Sequence, residues 1–394
     1  MKKVFVISPW GWAPRMNAQV LRMVNLTRNL PGYGWEAVVF SRKPGKNDFT
    51  DEKFRGGKEK IYEYRGILPY IHRLNILLRM AFIPDVFMPD FFLNMRKMLK
   101  IVKKERPDVM FSSTPASSLI AAYMLSRKTG IPLVIDCADP WTAPFRVSPP
   151  TKLHRDFYES LEKRIIDHSM GVSVVGERQV ENLKKAFGND EKYVSIENGH
   201  DRRAFEHHCD KKKDFVTFTF AGTVYGDSDL SFLHIFRELN REKTGRRFRV
   251  VFVGNIPESR KNEILRVGDG FVEIRGKVPN REFIRSLVCS DILIFSLGPD
   301  YTDAVSSRLP EYMASGRPII AFMPEDSLPG KIIKKSASGF IFQLPEEKKR
   351  AKEFIRSTLD EVPEMRPNME YISEFEWSNL AGKLAGIMDG AYHE

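Results

Sequence analysis

The sequence predicts an α/β protein made of two Rossmann-like halves, and three observations carry that expectation. The chain has 394 residues, too many for one ordinary domain and enough for two of about 200 residues each. Short apolar runs alternate with helical patterns along its length, as in parallel sheets covered on both faces. Near the middle the alternation breaks at a polar connector, His207-His208-Cys209-Asp210-Lys211-Lys212-Lys213. A content of 42% hydrophobic and 29% charged residues fits a soluble globular chain with two cores.

The opening Lys2-Lys3-Val4-Phe5-Val6-Ile7-Ser8 reads as a first buried strand. Its apolar run is too short for a signal peptide. No stretch approaches the roughly 20 apolar residues that cross a bilayer. Further strands of the first series are expected at 37–40, 109–112, 133–136 and 172–175, with helices at 17–30, 117–128 and 154–168. A polar loop is expected over 43–60. The second series is expected at 218–222, 250–254, 271–274, 292–297, 319–322 and 340–342, with helices at 229–242 and 281–289. The last segment, from Phe375-Glu376-Trp377 to Met388, reads as a helix with one apolar face.

Three cysteines, Cys137, Cys209 and Cys289, form no even framework and no metal spacing. That pattern fits a reducing cytoplasm. His207-His208-Cys209 are adjacent ligands with no distant partner pair, so they read as linker rather than metal site. The net charge is +11. Nucleic acid is the first partner such a charge suggests, but no nucleic-acid motif accompanies it. Diphosphate ligands and anionic membrane are the better candidates. Between Arg65 and Arg106 nine Lys/Arg face three acids, interleaved with Ile67, Leu77, Met80, Phe92 and other apolar residues. The stretch reads either as a helical hairpin packed on its own domain or as a face lying in a membrane interface.

The densest chemistry is Asp303-Ala-Val-Ser-Ser-Arg308-Leu309-Pro310-Glu311-Tyr-Met-Ala-Ser-Gly316-Arg-Pro318. It reads as loop, short helix, strand. Pro310 suits a first helical turn, where its missing N–H costs nothing, and Ser306 or Ser307 is a candidate cap. Gly316 and Pro318 end the helix. The loop follows a strand end and precedes a helix N-terminus, where open α/β sheets bind anions. Two acids eight residues apart, Asp303 and Glu311, offer acceptors to hydroxyls. Arg308 offers a positive charge to phosphate.

This segment resembles the nucleotide-sugar motif of retaining family-4 glycosyltransferases with the GT-B fold. There, two acids separated by seven residues precede a helix of the form E-(A/Y)-M-A-x-G-x-P. Glu311 and its helix match, and Asp303 stands one methylene short of the usual Glu. The resemblance implies two Rossmann-like domains facing across a cleft: an acceptor domain at 1–203, a donor domain at 204–370, and a helix at 371–394 returning to the first. It implies that Glu311 binds ribose hydroxyls, that Asp303 binds sugar hydroxyls near the reacting centre, and that Arg308, Leu309 and the helix N-terminus take the diphosphate. Gly222 and Thr223, after the first strand of the second series, would meet the donor too. Gly254 and Lys277, at later strand ends, are donor candidates as well, and Gly276-Lys277-Val278 resembles the site where the backbone meets the base. In the first half, Gly11, Arg15 and Asn17 are the diphosphate or acceptor loop, joined by Ser113 and Thr114. Asp139 in Asp136-Cys-Ala-Asp139-Pro-Trp141 is similar to the family's R-D-x-W acid, as an acceptor-side, structural or acid/base group.

The departures are specific. No histidine lies between His72 and His154, where relatives often carry one beside the reacting carbon. Thr223 replaces an Arg, and Asp227 and Asp229 stand where a Lys is expected. The implied activity is sugar transfer, with retention, from a nucleoside diphosphate sugar to a hydroxyl acceptor. A lipid-linked or polysaccharide acceptor in cell-surface glycan synthesis fits the basic first half, as does a cytoplasmic enzyme held at the inner membrane face. No metal or other cofactor is expected. A sugar-nucleotide epimerase and a catalytically degenerate binding protein are the alternatives.

Overall fold

The computed structural model describes residues 1–12, 18–43, 57–67, 77–78, 80–138, 141–142, 149–188, 191–206, 209, 214–224, 230–242, 247–268, 270–297 and 306–393, with side chains to 390. The chain divides into two compact units, Met1–Glu197 with Trp377–Glu394, and Asn198–Glu376.

The first unit runs β1 (Lys2–Gly11), α1 (Ala18–Asn29), β2 (Trp35–Arg42), β3 (Lys60–Tyr64), α2 (Met88–Glu105), β4 (Val109–Ser113), α3 (Ala116–Thr129), β5 (Leu133–Cys137), α4 (Lys152–His168), β6 (Gly171–Val174), α5 (Glu177–Phe187) and β7 (Tyr193–Ser195). Its seven strands are parallel, in the order β3-β2-β1-β4-β5-β6-β7. The middle strands are buried on both faces, hence their unbroken Val, Ile and Phe runs. The edge strand β3, which the sequence reading did not place, begins at Lys60, where the expected polar loop ends. Its sequence, Lys-Ile-Tyr-Glu-Tyr, is half exposed, and charge is what an edge strand carries to discourage further pairing. Only Tyr64 is fully covered, stacked on Phe40 at 4.9 Å.

The C-terminal helix (Trp377–His393) packs within this unit. Trp377, Leu380, Ala381, Leu384, Ala385 and Met388 are buried against Val4, Val6 and Val134. Burying each of the larger of these side chains is worth roughly 1.5–3 kcal/mol. Tyr33 donates its hydroxyl to the Ser378 carbonyl at 2.9 Å. A Cβ on Gly382 would stand 2.7 Å from the Tyr33 ring, so glycine permits this close approach.

The second unit runs β8 (Phe215–Thr223), α6 (Leu233–Glu242), β9 (Arg247–Asn255), α7 (Glu258–Val267), β10 (Val272–Gly276), α8 (Asn280–Val288), β11 (Ile292–Ser296), α9 (Leu309–Ala314), β12 (Ile319–Phe322), α10 (Leu328–Lys335), β13 (Gly339–Phe342), α11 (Lys348–Asp360) and α12 (Met369–Ser373). Its six strands are parallel, ordered β10-β9-β8-β11-β12-β13. Phe232 anchors the core, stacked on Phe322 at 5.4 Å and on Phe220 and Phe252 at 6.2 Å.

One expectation is corrected here. Cys209 and Cys289 are joined as a disulfide, with Cα atoms 5.5 Å apart. They lie 80 residues apart in sequence, so spacing gave no sign of the pairing. Among the described residues no helix is long and apolar enough to cross a membrane.

Candidate active site

Strand order reverses between β1 and β4 in the first sheet and between β8 and β11 in the second. Open α/β sheets bind ligands at the carboxyl ends of the strands beside such reversals.

In the second unit the crevice is set by Tyr312. The β8–β11 pairing ends at Phe220 and Ile294. Beyond it, the Tyr312 hydroxyl accepts from the Ala221 N–H at 2.6 Å and reaches the carbonyls of Ala221 and Ile294 at 3.0 and 3.2 Å. One phenol thus serves groups that the parting strands leave behind. It also ties α9 to the sheet. Burial pushes the phenol well above its ordinary pKa, so it stays protonated and able to donate.

The residues flanking Tyr312 face the same crevice from α9. Arg308 donates from Nη1 to Glu311 Oε2 at 2.9 Å, and its guanidinium lies 4.2 Å above the Phe283 ring. Both side chains are mostly covered, 22% and 13% exposed, which strengthens their attraction over that of a solvated pair. The stem of Arg308 passes over the end of β8: a Cβ on Gly222 would touch Arg308 Cγ at 3.9 Å. Gly222 pairs with Gly254 across β8 and β9. A Cβ on Gly254 would sit 2.2 Å from the Gly222 carbonyl oxygen, and its φ is +131°. Only glycine fits there. The structure therefore brings together Gly222, Gly254, Arg308 and Glu311.

Other expected donor residues fare differently. Leu309 is fully buried, and its N–H donates to the Ser306 carbonyl at 3.1 Å. The Arg308 N–H donates to Ser306 Oγ at 3.3 Å. Ser306 thus holds the turn before the helix, while Arg308 itself occupies the cap position. The N–H groups of Arg308 and Leu309 are thus held by Ser306, and Pro310 has none. Thr223 ends β8 half-buried, and Lys277 is exposed just beyond β10. Asp303 lies outside the described residues, as do Asp227 and Asp229.

In the first unit the strand ends are organised by Asp136, which the sequence reading passed over in favour of Asp139. Asp136 is fully buried. It accepts from Arg22 Nε at 3.0 Å and Nη2 at 2.9 Å, from Ser113 Oγ at 2.8 Å and from Ser173 Oγ at 2.7 Å. Arg22 Nη1 also donates to the Glu197 carbonyl at 2.8 Å. The bidentate pair and two hydroxyls offset the cost of burying both charges. The Ser113 hydroxyl therefore gives its proton to Asp136. Thr114 beside it is buried with a hydroxyl that meets no partner among the described residues. Gly11 ends β1 opposite Arg42, after a bulge. Arg15, Asn17 and Asp139 lie outside the described residues. Just after Asp139, Glu162 of α4 accepts from the N–H groups of Trp141 and Thr142 at 3.0 and 2.8 Å and from the Thr142 hydroxyl. Burial raises the Glu162 pKa.

Among the described residues no cluster of His, Cys, Asp and Glu is arranged to hold a metal ion. His207 and His208 lie outside them.

Two parallel sheets with interleaved helices, each reversing strand order, define the GT-B architecture. Solved structures share it over nearly the whole chain. Sucrose-phosphate synthase from Thermosynechococcus elongatus superposes with a TM-score of 0.70 at 15% identity, covering 98% of each chain. HepE from Anabaena, solved with UDP and glucose, gives 0.58 at 14% identity, covering 98% of this chain and 95% of its own. UDP-GlcNAc 2-epimerase from Methanocaldococcus jannaschii gives 0.59 at 12% identity, covering 99% of each chain. At these identities the likeness is one of fold. No curated protein matches the chain in sequence. Residues 19–203 match the model of Glycosyltransferase Family 4. That match lies within the first unit, and the chain as a whole has the GT-B fold.

Proposed function

We propose that this protein is a glycosyltransferase that moves a sugar from a nucleoside diphosphate sugar to a hydroxyl acceptor with retention at the anomeric carbon. The donor would sit on the second unit and the acceptor on the first. The observation that carries the reading is the covered Arg308–Glu311 pair above the Gly222–Gly254 strand ends. Each member of the pair satisfies the other. A diphosphate outcompetes Glu311 for the guanidinium, and the freed carboxylate accepts from ribose hydroxyls. One exchange thus reads phosphate and ribose together, without leaving a buried charge unpaired. Thr223, Lys277 and Asp303 would complete the donor contacts. On the first unit, Gly11, Arg15, Asn17 and Thr114 would meet diphosphate or acceptor, with Asp139 beside them. Bond breaking would rest on positioning and on stabilising the leaving phosphate; no metal is invoked. HepE's complex with UDP and glucose makes UDP-sugars the first donors to test.

The acceptor is proposed to be lipid-linked or polysaccharide, in cell-surface glycan synthesis at the inner membrane face. Ile67, Leu77, Met80, Phe92 and Leu93 are all more than half exposed in the basic first-unit stretch, which supports the interfacial reading over the packed hairpin. Co-sedimentation with anionic vesicles tests it: binding should fall when Lys100, Lys103 and Lys104 are neutralised.

The primary experiment follows thermal stability with UDP-, GDP-, ADP- and dTDP-sugars. One donor should stabilise the protein, since a ligand bound only by the folded state raises its stability, and Glu311→Gln should weaken that shift. Stabilisation unchanged in the variant overturns the donor assignment. Nucleotide release from UDP-sugar without acceptor would instead favour epimerase chemistry. No response to any donor would favour the degenerate binding protein.

A further inference from the structure

The Arg308 head rests on a ring that the sequence reading did not single out. Phe283 lies on α8, buried with Ile284, Leu287 and Val288, while Arg281, Glu282 and Arg285 are exposed. That spacing is the apolar face of an amphipathic helix, and core packing accounts for it. Core packing does not account for the ring's other neighbour. The Arg308 guanidinium stands 4.2 Å from its centroid. Other cations over buried rings stand farther off, Arg42 at 5.7 Å from Phe87 and Arg350 at 5.5 Å from Phe342. A cation this close to a ring face is attracted by the ring's quadrupole, more strongly where water is kept away.

Three elements therefore steady one side chain. The stem of Arg308 crosses the end of β8 at Gly222, its head lies on Phe283 of α8, and Nη1 donates to Glu311 of α9. The last two contacts differ in kind. Glu311 occupies an N–H of the guanidinium and competes with an incoming phosphate oxygen. The ring attracts the charge but accepts no conventional hydrogen bond, so it leaves the N–H groups to an incoming acceptor. When Glu311 lets go, the ring remains.

We infer that Phe283 is a positioning residue for donor binding: its ring holds the Arg308 guanidinium in place while the partner of that charge changes from Glu311 to the donor diphosphate. The inference rests on the donor role proposed above for Arg308. A head already held by the ring spares binding the cost of ordering a long side chain. The arrangement also calls for arginine, whose flat, weakly hydrated guanidinium stacks on aromatic faces, over the compact and strongly hydrated ammonium of lysine.

The test uses the full chain and titration calorimetry with UDP, GDP, ADP and dTDP, the tightest binder serving as probe. Phe283→Leu keeps an apolar side chain and should weaken that binding about fivefold, the size expected of a mostly covered cation on a ring face. Phe283→Met is the second variant if the first does not unfold cooperatively. In an Arg308→Gln background the same substitutions should leave the affinity unchanged, because a ring that acts through the cation has nothing left to act on. A purely structural role in the core would instead weaken binding equally in both backgrounds. An equal loss in both, or no loss in either, overturns the inference and leaves the donor reading standing. Binding that Arg308→Gln does not weaken removes Arg308 from the donor site, and the inference with it. Absence of binding by all four diphosphates overturns the donor reading itself, and the inference falls with it.

Discussion

Replacing Tyr312 by phenylalanine removes one oxygen from the second unit and keeps the ring. The ring is buried, packed edge-on to Phe295 with centroids 5.7 Å apart, and that contact survives. What is lost is the acceptor 2.6 Å from the Ala221 N–H and a donor shared by two carbonyls. A buried N–H left without a partner costs about 1–3 kcal/mol. At about 2 kcal/mol the local opening equilibrium shifts roughly 30-fold. Hydrogen exchange read on peptides is the assay. Amides of β8, β11 and α9 should lose protection by about that factor, while those of β1 to β7 should keep theirs. Donor binding should weaken in step, because Arg308 and Glu311 ride on α9. A change below about 0.5 kcal/mol in β8 and β11 would falsify the argument that this hydroxyl holds the crevice at the strand reversal.

Three further outcomes follow from the same structure. Asp136→Asn leaves Arg22 buried beside a neutral partner and should cost the first unit about 3–5 kcal/mol in denaturant unfolding; Arg22→Met combined with Asp136→Leu should recover most of it, and failure to recover would point to the two serines instead. Gly254→Ala drives a methyl into the Gly222 carbonyl and should lower the melting temperature and abolish donor-induced stabilisation; a variant that binds donor normally would mean that the strand ends can part freely. His200 is buried with Nε2 3.2 Å from the Ile372 carbonyl, and burial lowers its pKa below the ordinary 6.5. The folded state keeps the ring neutral while the unfolded chain takes up the proton, so this stability is present above pH 6.5 and lost as pH falls below it. His200→Gln should flatten the melting temperature over that acid range, and an unchanged slope would assign it to other groups.

Much of the fold was legible because it rests on local signals. Runs such as Val109–Ser113 and Ile292–Ser296 are apolar since both faces of a parallel sheet are covered, and that is a property of a few adjacent residues. The α9 helix could be placed from Pro310 and Gly316, because the residues that start and stop it share one short segment. The edge strand β3 was hidden, since its alternating Lys-Ile-Tyr-Glu-Tyr is covered mainly through Tyr64.

By itself, then, the sequence determined the class of architecture, the strand–loop–helix that carries Arg308 and Glu311, and the surplus of positive charge. Tertiary structure decided which groups meet across long separations. It brought Cys209 to Cys289, turned Arg22 and Ser113 onto Asp136, and set Tyr312 where β8 and β11 part. It also committed the N–H groups before Pro310 to Ser306. The physical reason is common to all of these. Backbone preference and apolar period are written in neighbouring residues, whereas the partner of a buried charge, hydroxyl or thiol is fixed only when the whole chain has folded and water has left the site.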